Sequence, residues 1–404
     1  MARRQGRISK TLLGLAGLVL LAAVLFHFAY PPVYEFPPAH PFSGAQWYNP
    51  YDRAGSDWLV ANFHAHSRTW LGFDRGGGAH ALETVWNQYR AIGYDVIGIS
   101  NYQSIRPPMP GETMYVTAYE HGYGIFQQHQ TVLGAPAVSW FDFPLYQGTR
   151  HKQCVIDRLR ADAAVVVINH PNKSGSYTLD DFRRLARYTG VELASLYARG
   201  LAHWDAALSA GRPVWGFCSD DYHEVEKLQQ DGVGWLMVAA ASRTPAALLA
   251  AIREGRFYSV WARQDRHPNE LETCRIRAGR LEVELREPAS CVRFIGQEGT
   301  VRAEFHHRAA AGYPLAATDT YLRVEAVTRA TTLFLNPVFR HDGEPLAHPA
   351  PRVAVLPTLA LRLVSGVSAA LGLLGLVLFL RAVSGRGPDP RAPRPAAAPA
   401  DTGS

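Results

Sequence analysis

Residues 58–70 read WLVANFHAHSRTW, a short apolar run followed by two histidines one residue apart. In an extended chain, side chains i and i+2 share a face, so His64 and His66 can reach one ion. A lone histidine at a strand end is ordinarily a hydrogen-bonded surface residue, so the pair needs company. Glu120 and His121 follow MYVTAY, His170 follows AVVVIN, and Asp221 and His223 follow VWGFCS. Four apolar runs thus end in a carboxylate or an imidazole. In parallel α/β folds the C-terminal strand ends converge on one rim, where sites are built. Imidazole nitrogen with carboxylate oxygen, and no cysteine among them, is a donor set for Zn²⁺, Mn²⁺ or Fe²⁺.

Around these runs, residues 57–265 alternate strand-like and helix-like stretches. The periodicity predicts a helix over HALETVWNQYRA and strands at 95–99, 164–168, 191–194 and 214–218. Thr178 is placed to cap a helix with Asp181 three residues on, and Pro245 opens a last helix. This pattern argues for an α/β fold with a mostly parallel sheet or barrel. Residues 266–350 change texture into short β-rich stretches, predicting a small β-sandwich-like module. Residues 30–56 are proline- and aromatic-rich and read as a semi-rigid stalk. Residues 381–404 read as a disordered tail.

Two segments, 11–29 and 363–380, are apolar for about the length that crosses a bilayer, roughly 20 residues at 1.5 Å each. The first is also open to reading as a signal peptide, although a long apolar run followed by AYPPVYEFPP favours a retained anchor. Arg3, Arg4, Arg7 and Lys10 make a basic head over residues 1–10, and the tail carries a smaller basic excess. Together these flanks account for the chain's net charge of +6, leaving 11–380 formally neutral. By the positive-inside rule both termini are cytoplasmic, with the domain on the outer side of a cell membrane crossed twice. A neutral domain gives no reason to expect a nucleic-acid partner. The four cysteines match no ligand-pair spacing. In an oxidising compartment Cys274 and Cys291 are placed for a bridge across a hairpin, and four buried thiols fit as well.

The blocks NFHAHS, EHG with His129 just beyond, INHP and SDDYH resemble, in that order, the PHP (polymerase and histidinol phosphatase) family. The resemblance covers about residues 57–260. It implies a distorted (β/α)7 barrel, flanked here by N- and C-terminal transmembrane helices, that holds two or three divalent ions and hydrolyses phosphoesters. By the same resemblance, His64, His66 and Asp221 hold a first metal, and Glu120 bridges it to a second held by His129 and His170. His223 stands on the side of a third. Asp221, Glu120 and His223 are the expected catalytic groups, acting around a water activated between cations.

The chain departs from the family pattern at two places. Asn101-Tyr102 stands where the family has Asp-His, and SRTWLGFDRGGG replaces Ser-Asp-Gly, leaving Asp74 and His80 as displaced donors for a third site. Glu192 fits a carboxylate behind the ligands better than a ligand. Arg68, Arg106 and Lys173 are candidate phosphate contacts, each open to reading as a solvated cation. The expected substrate is a phosphorylated small molecule, a lipid headgroup or an envelope glycopolymer. Two rival readings are a non-catalytic membrane-anchored metal-binding or scaffold domain and an amide-bond hydrolase on the same fold.

Overall fold

A computed structural model describes residues 2–52, 57–69, 78–195, 199–224, 233–262, 270–347 and 349–385. Asp74 and most of the expected tail lie outside these. The chain divides into two compact units, one of Met1–Val33 with Val353–Ser404 and one of Tyr34–Arg352.

In the first unit, α1 (Ala2–Ala29) lies beside a C-terminal helix, Val355–Gly385. Both are long and apolar enough, by length and composition, to cross a membrane. The second begins well before residue 363, because VLPTLALRL leads into the apolar run and its one proline, Pro357, falls in the first turn, where no intrahelical N–H is needed. Gly14 and Gly372 sit against Leu380 and Leu21, the close approach that small residues permit between apolar helices.

The second unit is built on seven strands: β1 (Leu59–Asn62), β2 (Val96–Ile97), β3 (Ala118–His121), β4 (Gln130–Leu133), β5 (Val165–Ile168), β6 (Gly190–Ala194) and β7 (Trp215–Cys218). Strands β3 to β7 form one sheet in chain order, and β1 pairs with β2 in another. Two isolated bridges, Tyr102 with Glu120 and Ala65 with Tyr222, join β2 to β3 and β7 to β1. The strands therefore curl into a barrel-like ring, stitched at two points rather than fully hydrogen-bonded. Helices α2 (Leu82–Ala91), α3 (Thr149–Arg160), α4 (Leu179–Arg184) and α5 (Leu201–Ser209) occupy the connections. The Thr178 hydroxyl accepts from the Asp181 N–H and the Asp181 carboxylate accepts in return, which starts α4. Pro245 opens α6 (Pro245–Arg253) behind the Thr244 cap.

The ring is less parallel than the alternation predicts. β4 runs antiparallel to both β3 and β5, because the link from His121 to Gln130 is a hairpin connection too short for a crossover helix. Two further strands, β8 (Val233–Val238) and β9 (Phe257–Ala262), extend antiparallel from β1.

The segment read as a separate β-sandwich-like module is hydrogen-bonded into this sheet. Its strands are β10 (Leu271–Arg277), β11 (Arg280–Gly296), β12 (Thr300–Pro314), β13 (Tyr321–Val327) and β14 (Thr331–His341). β14 pairs with β9 over five residues, Tyr258 opposite Leu335 through Ala262 opposite Thr331. The stalk reading also gives way. The strand Gln46–Tyr48 pairs with β14, and Phe42 stacks on Phe339 at 4.5 Å, since these aromatics bury more surface on the sheet than in an extended linker. All four cysteines are free, three of them buried and Cys154 half-buried: Cys274 faces Val283, whereas Cys291 faces His306 and Val327, so of the two readings the bridge is the one that does not form.

Candidate metal centre

The rim of the ring gathers its polar residues because each stands at or just past the end of a buried apolar strand. His64 and His66 follow β1, Glu120 lies within β3, His129 leads into β4, His170 follows β5, and Asp221 and His223 follow β7. The antiparallel turn of β4 brings His129 back to the rim that Glu120 has just reached.

Glu120 is the hub. One oxygen stands 3.3 Å from His64 Nε2, 3.0 Å from His129 Nδ1 and 3.3 Å from His170 Nε2. The other stands 3.3 Å from His66 Nε2. Asp221 Oδ1 lies 3.2 Å from His64 Nε2 and 3.5 Å from His66 Nε2. Two donor groups result, His64–His66–Glu120–Asp221 and Glu120–His129–His170, each with its atoms within 4.8 Å of one another. Glu120 belongs to both. All six side chains are buried. His170 and Asp221 hold left-handed backbone conformations, φ 28° and 49°, which cost energy in non-glycine residues and aim both side chains inward.

The chemistry of this cluster fits cations. His66 Nδ1 and Nε2, Glu120 Oε2, His170 Nδ1 and both Asp221 oxygens are buried without hydrogen-bond geometry to any partner. Buried polar atoms are ordinarily satisfied, and of these orphans His66 Nε2, Glu120 Oε2 and Asp221 Oδ1 converge within one donor group, which suits a divalent ion. Burial lowers the His64 pKa, but Asp221 and Glu120 outweigh it and hold the imidazole well above its ordinary value. Burial raises the Glu120 and Asp221 carboxyls, and the neighbouring imidazoles reverse this, leaving both acids ionised. Protons on the imidazoles thus balance the charge that a metal would balance. His223, 3.9 Å from Asp221, is pushed down to about 4 by burial and then by the His66 charge, so it is neutral at pH 7.

Behind the donors lies a supporting layer. Glu192 accepts from His64 Nδ1 at 2.9 Å and from the His170 N–H at 2.8 Å, and the Ser219 hydroxyl also donates to it. Asn169 donates to Glu120 at 3.0 Å. Asp220, adjacent to a donor, points the other way and accepts from Asn62 and Tyr89, both at 2.6 Å.

At Asn101-Tyr102 the structure replaces ligation with packing. Asn101 accepts from the Ser67 N–H at 2.7 Å and donates to its hydroxyl at 3.0 Å, pinning the loop after His66. The Tyr102 ring stacks on His66 at 4.9 Å and meets His129 edge-on at 5.1 Å. Asn169 has no legible role in the sequence because an amide beside a histidine is an unremarkable dipeptide, and Tyr102 reads there only as a missing ligand, not as a ring packed on two donors. For Asn169 the one available signal is its place at a strand end.

The remaining candidates stand apart from the donor groups. Arg68 is exposed and donates to the Ala79 carbonyl. Arg106 lines another cleft with Leu82, Trp86 and Met109. Lys173 begins a 3₁₀ turn, its N–H donating to the His170 carbonyl. The His80 carbonyl accepts from the Arg68 N–H at 2.7 Å, and its ring belongs to neither group of donors.

No family model matches the sequence, and no curated protein matches it. Among solved structures, the chain is similar to a two-domain protein from Bacteroides vulgatus containing a predicted PHP-like metal-dependent phosphoesterase. That likeness has 12% identity, covers 76% of this chain and 92% of that one, and has a TM-score of 0.37.

Proposed function

We propose that this protein is a metal-dependent hydrolase of phosphoesters, with a PHP-type barrel over residues 57–265 anchored on the outer face of a membrane and both termini cytoplasmic. The observation that carries the reading is the sharing of Glu120 between two groups of buried donors. His64, His66 and Asp221 would hold one ion, His129 and His170 another, and Glu120 would fix the spacing between them. Zn²⁺ and Mn²⁺ suit the mixed nitrogen and oxygen donors. Ions bound there would lower the pKa of a water and neutralise phosphoryl charge.

The chain's own groups do the rest. Asn169 and Glu192 keep Glu120 and His64 oriented. His223, neutral at pH 7, offers a lone pair for a ligand or base role and suits a general acid less well. Tyr102 in place of a third pair of ligands favours a two-ion centre. The test is elemental analysis of the full chain with a panel of phosphomono- and phosphodiesters under added Zn²⁺ or Mn²⁺. Two ions per chain and turnover abolished by Asp221→Asn are expected. A folded protein that stays metal-free in excess of both cations would refute the reading.

A further inference from the structure

A cleft of about 670 Å³ opens at the foot of the ring, where β6 and β7 begin, opposite to the strand ends that carry the metal donors. Its wall includes three arginines from separate parts of the fold: Arg160 at the end of α3, Arg187 just before β6, and Arg253 at the end of α6. A helix C-terminus accounts for one cation apiece at α3 and α6. It does not account for their convergence with Arg187 around an open cavity.

Two carboxylates stand on the same wall against the three guanidiniums, leaving an excess of positive charge. Asp157, on the same wall, accepts from the Tyr34 hydroxyl at 3.0 Å and from Gln153 at 3.0 Å, and reaches Arg187 only at 3.5 Å. Glu254 is paired with Arg256 at 3.0 Å. Arg160 donates to the carbonyls of Ala163 and Ala164, which carry no formal charge. The Arg253 guanidinium makes no hydrogen bond or ion pair among the described residues, although its carbonyl accepts from Trp215. Burial lowers the Arg160 pKa, and the charges of Arg253 and Arg187 lower it further, as expected of cations that feel one another across the cleft.

We infer that this cleft binds a phosphate group, gripped by Arg187 and Arg253 with Arg160 behind them, with the organic part of the ligand lying against Ala250 and Leu346. Guanidinium forks match phosphate oxygens two at a time, and several of them together suit a multiply charged anion better than a single carboxylate. The phosphate could come from a free metabolite or from an anionic lipid headgroup, and the experiment separates the two.

The full chain in neutral detergent, stripped of metal with EDTA, is titrated calorimetrically. One arm uses inorganic phosphate, and the other uses dihexanoyl phosphatidylglycerol against dihexanoyl phosphatidylcholine. Saturable binding is expected in at least one arm, with phosphatidylcholine inert. Affinity should fall about tenfold or more in the Arg187→Gln, Arg253→Gln double variant, and should stay unchanged in Asp221→Asn. Binding of phosphate assigns a free ligand, and binding of phosphatidylglycerol alone assigns the headgroup. Both substituted side chains are exposed, so the fold should tolerate the change. Melting by circular dichroism checks this, and Arg253→Glu serves as a second variant. No binding in either arm, or equal binding by parent and variants, overturns the inference.

Discussion

Replacing Glu192 by glutamine should weaken metal binding without touching a ligand. The Glu192 carboxylate is 2% exposed and lies behind His64 and His170. It serves three donors: His64 Nδ1–H, the His170 backbone N–H and the Ser219 hydroxyl. Burial raises its pKa, but the hydrogen bond and charge of His64 bring it below the ordinary value, so both oxygens accept at neutral pH. Glutamine keeps one acceptor and turns the other into an NH₂. That NH₂ must then face either the His170 N–H, which cannot change, or His64 Nδ1. In the second case the imidazole adopts the other tautomer, and its proton moves to Nε2, the nitrogen aimed at Asp221 and Glu120. Either arrangement loses one hydrogen bond to a charged acceptor, roughly 1.5–3 kcal/mol. That corresponds to a loss of roughly 10- to 150-fold in affinity, in line with the effect of removing a carboxylate behind a ligating histidine. The assay is competition for Zn²⁺ against a chromogenic chelator, with the metal-free melting temperature as a control for folding. A folded Glu192→Gln variant that binds Zn²⁺ within about threefold of the parent would sink the argument that this residue sets the tautomer of His64.

Three other outcomes follow from named contacts. Removing metal with a chelator should lower the melting temperature. Returning Zn²⁺ at about one hundred times its dissociation constant should restore roughly 2.7 kcal/mol, measured by scanning calorimetry. Asp181→Asn should cost about 3 kcal/mol near neutral pH, because it strands Lys152, whose ammonium is 2.6 Å away and as buried as the carboxylate. Burial raises the Asp181 pKa but Lys152 more than reverses this, so the folded value lies below the ordinary 3.8. Stability from this pair is therefore full above that value and fades as pH falls below it, and chemical denaturation of parent and variant should converge in acid. Arg323→Ala should destabilise the fold by about 3 kcal/mol, because Arg323 is buried and holds Asp205 of α5 through two bonds of 2.7 and 2.8 Å. Urea unfolding monitored by fluorescence reads the loss, and an unchanged midpoint would mean the pair does not tie β13 to the ring.

What the sequence made legible is local or nearly so. The capping box at Thr178 needs only three residues of reach, and the offset of His64, Glu120, His170 and Asp221 from their apolar runs survives any detail of strand pairing. What stayed hidden depends on partners far away in the chain. FYSVWA at 257–262 reads as an extended stretch, yet all six of its residues are buried. A strand buried on both faces needs layers above and below it, and one hydrogen-bonded on both edges needs two neighbours. Those neighbours are β8, and β14 some seventy residues later, a pairing that no periodicity announces. A still greater separation hid the role of Gln46–Tyr48, whose partner also lies on β14. Texture alone placed a boundary near residue 265, because composition changes there, whereas the strands on either side, β9 and β14, share one sheet. A chain cut at that point would leave the β9 edge bare where β14 now covers it, an open template for association with other chains. The β-rich segment is therefore part of what keeps the ring folded, and the metal donors depend on it through β9, β8 and β1.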